Sequence, residues 1–272
     1  MVGCLSRCPA AVVAVPSGVS SRYIPVRVPA PAVDADPSLN RRRVAVSGTS
    51  VAETQQPAVP LPALAGALVV LPVFVQAPWV RAAPMAAALF TAALVAVGIL
   101  LERHRSPHWK DAGALLVGFS GSWLGGALFW GWCRLHPAWH LPVEAFALPL
   151  AVAGLGGRWR LAGIFYLSSL LGTAATDVAM LLSGVMDLWP QVLGVPLQEA
   201  PALLQAAAKV VLRPLPLAVV GTMASLLLGL AGWLWERGAA GRLAAVTIAT
   251  TLAVDGLFLA AALAAPRFSG LI

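Results

Sequence analysis

The chain has 272 residues, of which 59% are hydrophobic and only 11% charged, with a mean hydropathy of +0.83; a soluble domain carries about 25% charged residues. That is too little polar surface to cover a globule, so the apolar side chains must face lipid and a soluble protein is excluded. The net charge of +7 comes from an arginine-rich N-terminal stretch and from bases set between apolar runs, as in the loops of membrane proteins, and with no basic stripe interleaved with aromatics, no nucleic-acid partner is expected.

Residues 1–57 carry six arginines against Asp34, Asp36 and Glu53, are rich in Ala, Val, Pro and Ser, and contain no apolar run with signal-peptide flanks. They are expected to form a disordered tail in front of a transmembrane domain at 58–268. The acid-poor opening also fits an organelle transit peptide, or an upstream-extended start with translation from a codon such as that of Val51, since the next methionine is Met85. Leu5 to Cys8 resembles a lipobox, but Arg7 and the missing apolar segment argue against lipidation.

Apolar segments then follow at about 60–77, 82–101, 112–133, 140–155, 161–185, 215–235 and 243–265, where about 20 helical residues cross a bilayer core of roughly 30 Å. The first and fourth are short, and Pro72 and Pro149 can kink or break them. The expected fold class is therefore all-α, a polytopic transmembrane helix bundle with six or seven spans. In the connection 186–214, the part from Pro201 to Leu212 reads as an amphipathic helix, with Glu199 near its start and Lys209 and Arg213 towards its end, lying in the membrane interface.

Arg41, Arg42, Arg43, Arg103, Arg105, Lys110, Arg158, Arg160, Arg237 and Arg242 fall on one side of this topology. Arg81, Arg134, Lys209, Arg213 and Arg267 fall on the other, which places the N-terminus in the cytoplasm or stroma. Trp79, Trp109, Trp139, Trp159, Trp189 and Trp235 lie near predicted span ends, at headgroup level. The third span carries Gly113, Gly118, Gly121, Gly125, Gly126 and Gly131, and is predicted to be the most enclosed helix because small residues admit close neighbours. Cys4, Cys8 and Cys133 form no CxxC, so neither a disulfide framework nor a zinc site is indicated.

Chemistry concentrates in and around Trp123 to Pro149, which holds four of the ten tryptophans, His136, His140 and Glu144. It reads as the turn between the third and fourth helices. Glu144, Asp177 and Asp255 lie inside predicted spans, where a charge costs about 2.5 to 3.5 kcal/mol and so needs a partner, a proton or water. All three fall between the midplane and the outer half by the helical rise. No lysine or arginine within a span stands ready to neutralise them. His140 and Glu144 are four apart and share a helix face, which makes them a candidate hydrogen-bonded pair; the alternative is a histidine at a helix start beside a protonated glutamate. The small and hydroxyl-bearing run Gly172 to Thr176 is expected to satisfy Asp177. Glu144, Asp177, Asp255 and His140 are the candidate intramembrane polar site, and Trp132, His136 and Trp139 the candidate docking residues for a membrane protein partner.

Catalytic patterns fare poorly. Gly118 to Gly121 spells GxSG, as around the nucleophile of rhomboid proteases, but no histidine occurs after His140 to serve as base from a later span. The aspartate pattern of presenilin-type proteases and nucleotide glycine motifs are absent, and the histidines cannot bridge a haem between two spans. His136, His140 and Glu144, with Pro137 intervening, make a weak metal set, so no metal site and no catalytic residue is expected, and the residues leave a cofactor open.

LPVFVQAPWVR at 71–81, WGWCRLHPAWHLPVEA at 130–145 and GIFYLSSLLGTAATD at 163–177 together resemble a cyanobacterial integral membrane family of unknown function, with relatives in plastids, over about 60–265. The resemblance implies a photosynthetic lineage and a thylakoid or plasma membrane location, and supplies no activity. The long N-terminal tail departs from that family's compact core. Two functions are compatible with the residues: transport of a cation, proton or small solute, and a structural or assembly role in photosynthetic membrane complexes.

Overall fold

The computed structural model describes residues 60–196 and 198–268, so the expectations for residues 1–57 lie outside the described residues. Among these, all regular structure is helical. Six helices are long and apolar enough to cross a membrane: α1 (Leu61–Ala82), α2 (Pro84–Glu102), α3 (Pro107–Cys133), α6 (Arg160–Leu182), α9 (Pro214–Trp235) and α10 (Gly238–Ala264). The chain is thus a multi-pass helical bundle. Between α3 and α6 lie two short helices, α4 (His140–Glu144) and α5 (Leu148–Gly154), and between α6 and α9 lie α7 (Trp189–Gly194) and α8 (Ala200–Val211).

Prolines set several boundaries, because a residue without an N–H fits the first turn of a helix, where no intrahelical acceptor awaits it. Pro84 opens α2, Pro107 opens α3 and Pro214 opens α9. Helix α3 therefore starts five residues before the predicted span, and takes Lys110 and Asp111 into its first turns. Pro72, expected to kink or break the first span, does not end it. The helix widens into a π-helical turn at Pro72–Gln76, closed by the Ala77 N–H on the Pro72 carbonyl, and continues to Ala82. At the end of α6, Gly184 adopts φ 71° and the Val185 N–H bonds the Met180 carbonyl at 3.0 Å, a left-handed glycine cap.

Helix α3 is the most enclosed, with 61% of its apolar window buried against 11 to 33% for the other five. Its glycines explain why. A Cβ at Gly118 would lie 2.8 Å from the Ala162 Cα of α6, and one at Gly121 would lie 3.0 Å from the Tyr166 ring of the same helix. Neighbouring helices thus approach α3 more closely than any side chain would allow. The core around it is built from Leu115, Phe119 and Trp123 of α3, with Ala65 and Leu68 of α1, Phe165 of α6 and Leu243 of α10. Gln76, 2% exposed, donates to the Trp123 carbonyl, and the Trp123 indole donates to the Ala87 carbonyl at 2.8 Å. Helix α8 is amphipathic as expected, and buries Leu204, Ala207 and Ala208 against Val192 of α7 and Ala262 of α10.

The predicted fourth span is not one helix. Its 140–155 stretch is divided into α4 and α5, of five and seven residues, by a 3-10 turn at Ala145–Ala147. It still runs the depth of the bundle. At one end it follows Cys133 of α3; its middle meets Gly121 and Gly125, Ala151 lies against Gly163, and beyond it Arg158 Nη1 stands 3.9 Å from Oε2 of Glu102 at the opposite end. The break originates in Pro149. Having no N–H, Pro149 cannot serve the Ala145 carbonyl four residues back. The Leu148 N–H bonds that carbonyl instead. Leu148 thereby gives up its own helical acceptor, the carbonyl of Glu144.

Candidate functional site

That open carbonyl is filled from another helix. The Tyr166 hydroxyl donates to the Glu144 carbonyl oxygen and accepts the Ala147 N–H at 3.2 Å. Tyr166 itself is only 2% exposed. Both backbone groups loosened by the break therefore find a partner, as groups away from water must. Close packing holds the same place from the other side, since a Cβ on Gly125 would lie 2.9 Å from the Glu144 Cα. The side chain of Glu144 is thus aimed by α3, α4 and α6 together.

Its carboxylate meets His140 on the same helix, Oε1 to Nε2 at 3.3 Å, and accepts from the Thr173 hydroxyl of α6 through Oε2 at 3.0 Å. The other ring nitrogen of His140, Nδ1, lies 2.9 Å from Oδ1 of Asp177, also on α6. His140 therefore bridges two carboxylates. A neutral imidazole has one N–H and one lone pair, so two such bonds require one further proton, on the ring or on a carboxyl. The Phe129 ring, in the π-helical turn that ends α3, packs on the imidazole with centroids 4.3 Å apart. One helix further, Oδ2 of Asp255 on α10 accepts from the Thr176 hydroxyl at 2.6 Å. His140, Glu144 and Asp177 retain 23, 17 and 13% of their side-chain exposure, so the set is not sealed.

Three of the four candidate polar residues, His140, Glu144 and Asp177, thus lie in one connected set, and Asp255 is held beside it by Thr176 without a bond to the other three. The hydroxyls are distributed differently from expectation. Thr173 and Thr176 do not satisfy Asp177; they serve Glu144 and Asp255, because they project from α6 towards α4 and α10, while Asp177 takes the imidazole. Trp132, His136 and Trp139 are exposed at the turn between α3 and α4 and form no part of the set. The inner ring of that turn is Trp130, 5.7 Å from Trp189, whose indole donates to the Arg134 carbonyl at 3.1 Å. Ser120 of the GxSG run donates to the Val117 carbonyl at 2.7 Å and is buried in the core.

Tyr166, Phe129 and Gln76 were not singled out by sequence reasoning. A readable signal existed for one of them: Tyr166, Thr173 and Asp177 are seven and four residues apart, so the three polar groups line one face of α6.

Metal binding does not suit this arrangement. A metal needs lone pairs aimed at one point, whereas both His140 nitrogens are engaged with carboxylates on opposite edges of the ring. Among the described residues no group of three or more His, Cys, Asp or Glu converges in that way. What the geometry offers is a path of hydrogen bonds from α4 to α6 in which a proton can change hands.

Comparison with curated proteins and with solved structures returned no significant match. Residues 65–263 match the family described as a protein of unknown function, DUF3120. That range spans the bundle from α1 to α10 and covers most of the chain, so the protein belongs to the DUF3120 family.

Proposed function

We propose that this protein is a membrane transport protein in which protons move through the Glu144, His140 and Asp177 set, in step with a cation or small solute or as the transported species. The observation that carries the reading is His140, with one ring nitrogen on Glu144 and the other on Asp177. In the relay step Glu144 gives its carboxyl proton to Nε2, while the Nδ1 proton of the ring passes to Asp177. Once Asp177 has released its proton to water, the ring returns to its first state by rotation, and Glu144 takes up the next proton. Asp255, held by Thr176, supplies a third carboxylate one helix away for a cation or a second proton. A crossing interrupted at the site supports the reading further, since transporters place binding groups where helices are discontinuous.

The resemblance to photosynthetic-lineage proteins suggests a thylakoid or plasma membrane. The ten bases on one side, against five on the other, suggest a cytoplasmic or stromal N-terminus. The assembly-factor alternative would use the exposed Trp132 and Trp139, which burial at headgroup level accounts for equally well.

Purified protein in liposomes containing a pH-sensitive dye tests the proposal. Under an imposed potassium diffusion potential, wild-type vesicles are expected to change internal pH faster than empty ones. His140→Ala and Asp177→Asn are expected to return the rate to that of empty vesicles while the protein still elutes as a folded species. Flux equal in His140→Ala and wild type refutes the relay. Absence of flux from wild type, together with loss of a co-purifying membrane protein from Trp132→Ala or Trp139→Ala, favours the alternative.

A further inference from the structure

The structure assigns Tyr166 the role of positioning residue for this set: its hydroxyl fixes the break between α4 and α5, and through it the aim of Glu144 at His140 and Thr173. The inference rests on the proton reading above for its functional meaning, and on independent geometry for its substance. Pro149 forces the Leu148 N–H onto the Ala145 carbonyl and leaves the Glu144 carbonyl open. The Tyr166 hydroxyl takes that carbonyl and the Ala147 N–H, which spans the 3-10 turn from both sides. Nothing else among the hydrogen bonds described reaches these two groups.

The ring that carries the hydroxyl is equally fixed. A Cβ on Gly121 would lie 3.0 and 3.1 Å from two of its carbons, so glycine at that position lets the ring approach α3 closely. Tyr166 itself touches neither His140 nor Asp177 by hydrogen bond. It acts through the backbone of the residue whose carboxylate does. The sequence of causes runs from Pro149 to the open carbonyl, to Tyr166, to Glu144, to His140.

The test compares wild type with Tyr166→Phe, which keeps the ring and removes the hydroxyl, by 15N spectroscopy of histidine-labelled protein and by the liposome flux assay. In wild type both His140 ring nitrogens are expected to give hydrogen-bonded signals. In Tyr166→Phe the Nε2 signal is expected to lose its bond to Glu144 while Nδ1 keeps its bond to Asp177, and flux should fall about three- to tenfold, the worth of one buried hydrogen bond. A merely structural tyrosine would lower thermal stability and leave both nitrogen signals unchanged, and that result overturns the inference. The spectrum decides this even if wild type conducts no protons, in which case the functional reading fails separately. Should Tyr166→Phe not accumulate, Gly121→Ala displaces the same ring by a few tenths of an ångström and is expected to alter the Nε2 signal in the same way; an unaltered signal there also overturns it.

Discussion

Adding one methyl group at Gly125 should damage the polar set more than it damages the fold. The Cβ of an alanine there would lie 2.9 Å from the Glu144 Cα and 3.3 Å from its Cγ, whereas ordinary contact begins at 3.4 Å. Because the nearest atom is backbone, α4 itself must move, by about 0.5 to 1 Å, and overpacking of this kind costs about 1 to 3 kcal/mol. Alanine returns roughly 1 kcal/mol through its higher helix propensity, so the net loss is about 0 to 2 kcal/mol. The same displacement is enough to carry the His140 to Asp177 and Thr173 to Glu144 distances, 2.9 and 3.0 Å, out of hydrogen-bonding geometry. Gly229→Ala is the control, since its Cβ would meet nothing within 4 Å. Thermal unfolding of the two variants in one detergent should differ by roughly 2 to 10 °C, the shift that about 1 to 3 kcal/mol gives in a domain of this size, with proton flux lost only in Gly125→Ala. If Gly125→Ala matches Gly229→Ala in both measurements, the packing argument for how Glu144 is aimed is wrong.

Three further outcomes follow from the same contacts. Gln76→Leu removes the buried amide bond to the Trp123 carbonyl and should lower stability by about 1 kcal/mol, seen as a lower unfolding temperature with α1 still inserted. Pro149→Ala restores an N–H for the Ala145 carbonyl, which frees Leu148 to return to Glu144 and compete with Tyr166; hydrogen exchange should slow across 145–149 while proton flux falls. Arg158→Ala should change the unfolding free energy by less than about 0.5 kcal/mol, because the Arg158 side chain is 67% exposed and its pairing with Glu102 at 3.9 Å is a surface one.

The long spans were legible because an apolar run of about 20 residues has few other uses. The acids were legible for the complementary reason: Glu144, Asp177 and Asp255 interrupt runs in which a charge is costly, so each stands out without any knowledge of its neighbours. Their partners were harder to read. Thr176 follows Thr173 by three residues and precedes Asp177 by one, yet sequence proximity did not decide which acid each hydroxyl serves. That depends on which helices flank α6, and only the packing of α4 and α10 settles it. The fourth crossing shows the same limit at backbone level. Its length and hydropathy read as a span, and Pro149 marked it as breakable, but a break needs a group to receive the freed carbonyl, and that group lies on Tyr166 in the next span.

The choice of base argues for a proton-handling role over a purely structural one. If the acids needed only a permanent counter-ion, arginine would serve better, since it is always charged and presents a planar fork that matches carboxylates. Histidine, unlike arginine, can give up a ring proton to a neighbouring acid, and it can hold a bond to each of two acids while a proton passes through the ring. The position also suits exchange with the surroundings. Asp177 is five residues from the Leu182 end of α6, about 8 Å at the helical rise, and the set keeps some exposure. His140→Arg separates the two purposes. If neutralising Glu144 and Asp177 is all that matters, this variant should accumulate, unfold at the wild-type temperature or above, and function normally. If the proton must pass through the ring, it should accumulate in the same way and carry no proton flux, and wild-type flux from it would remove the case for the relay.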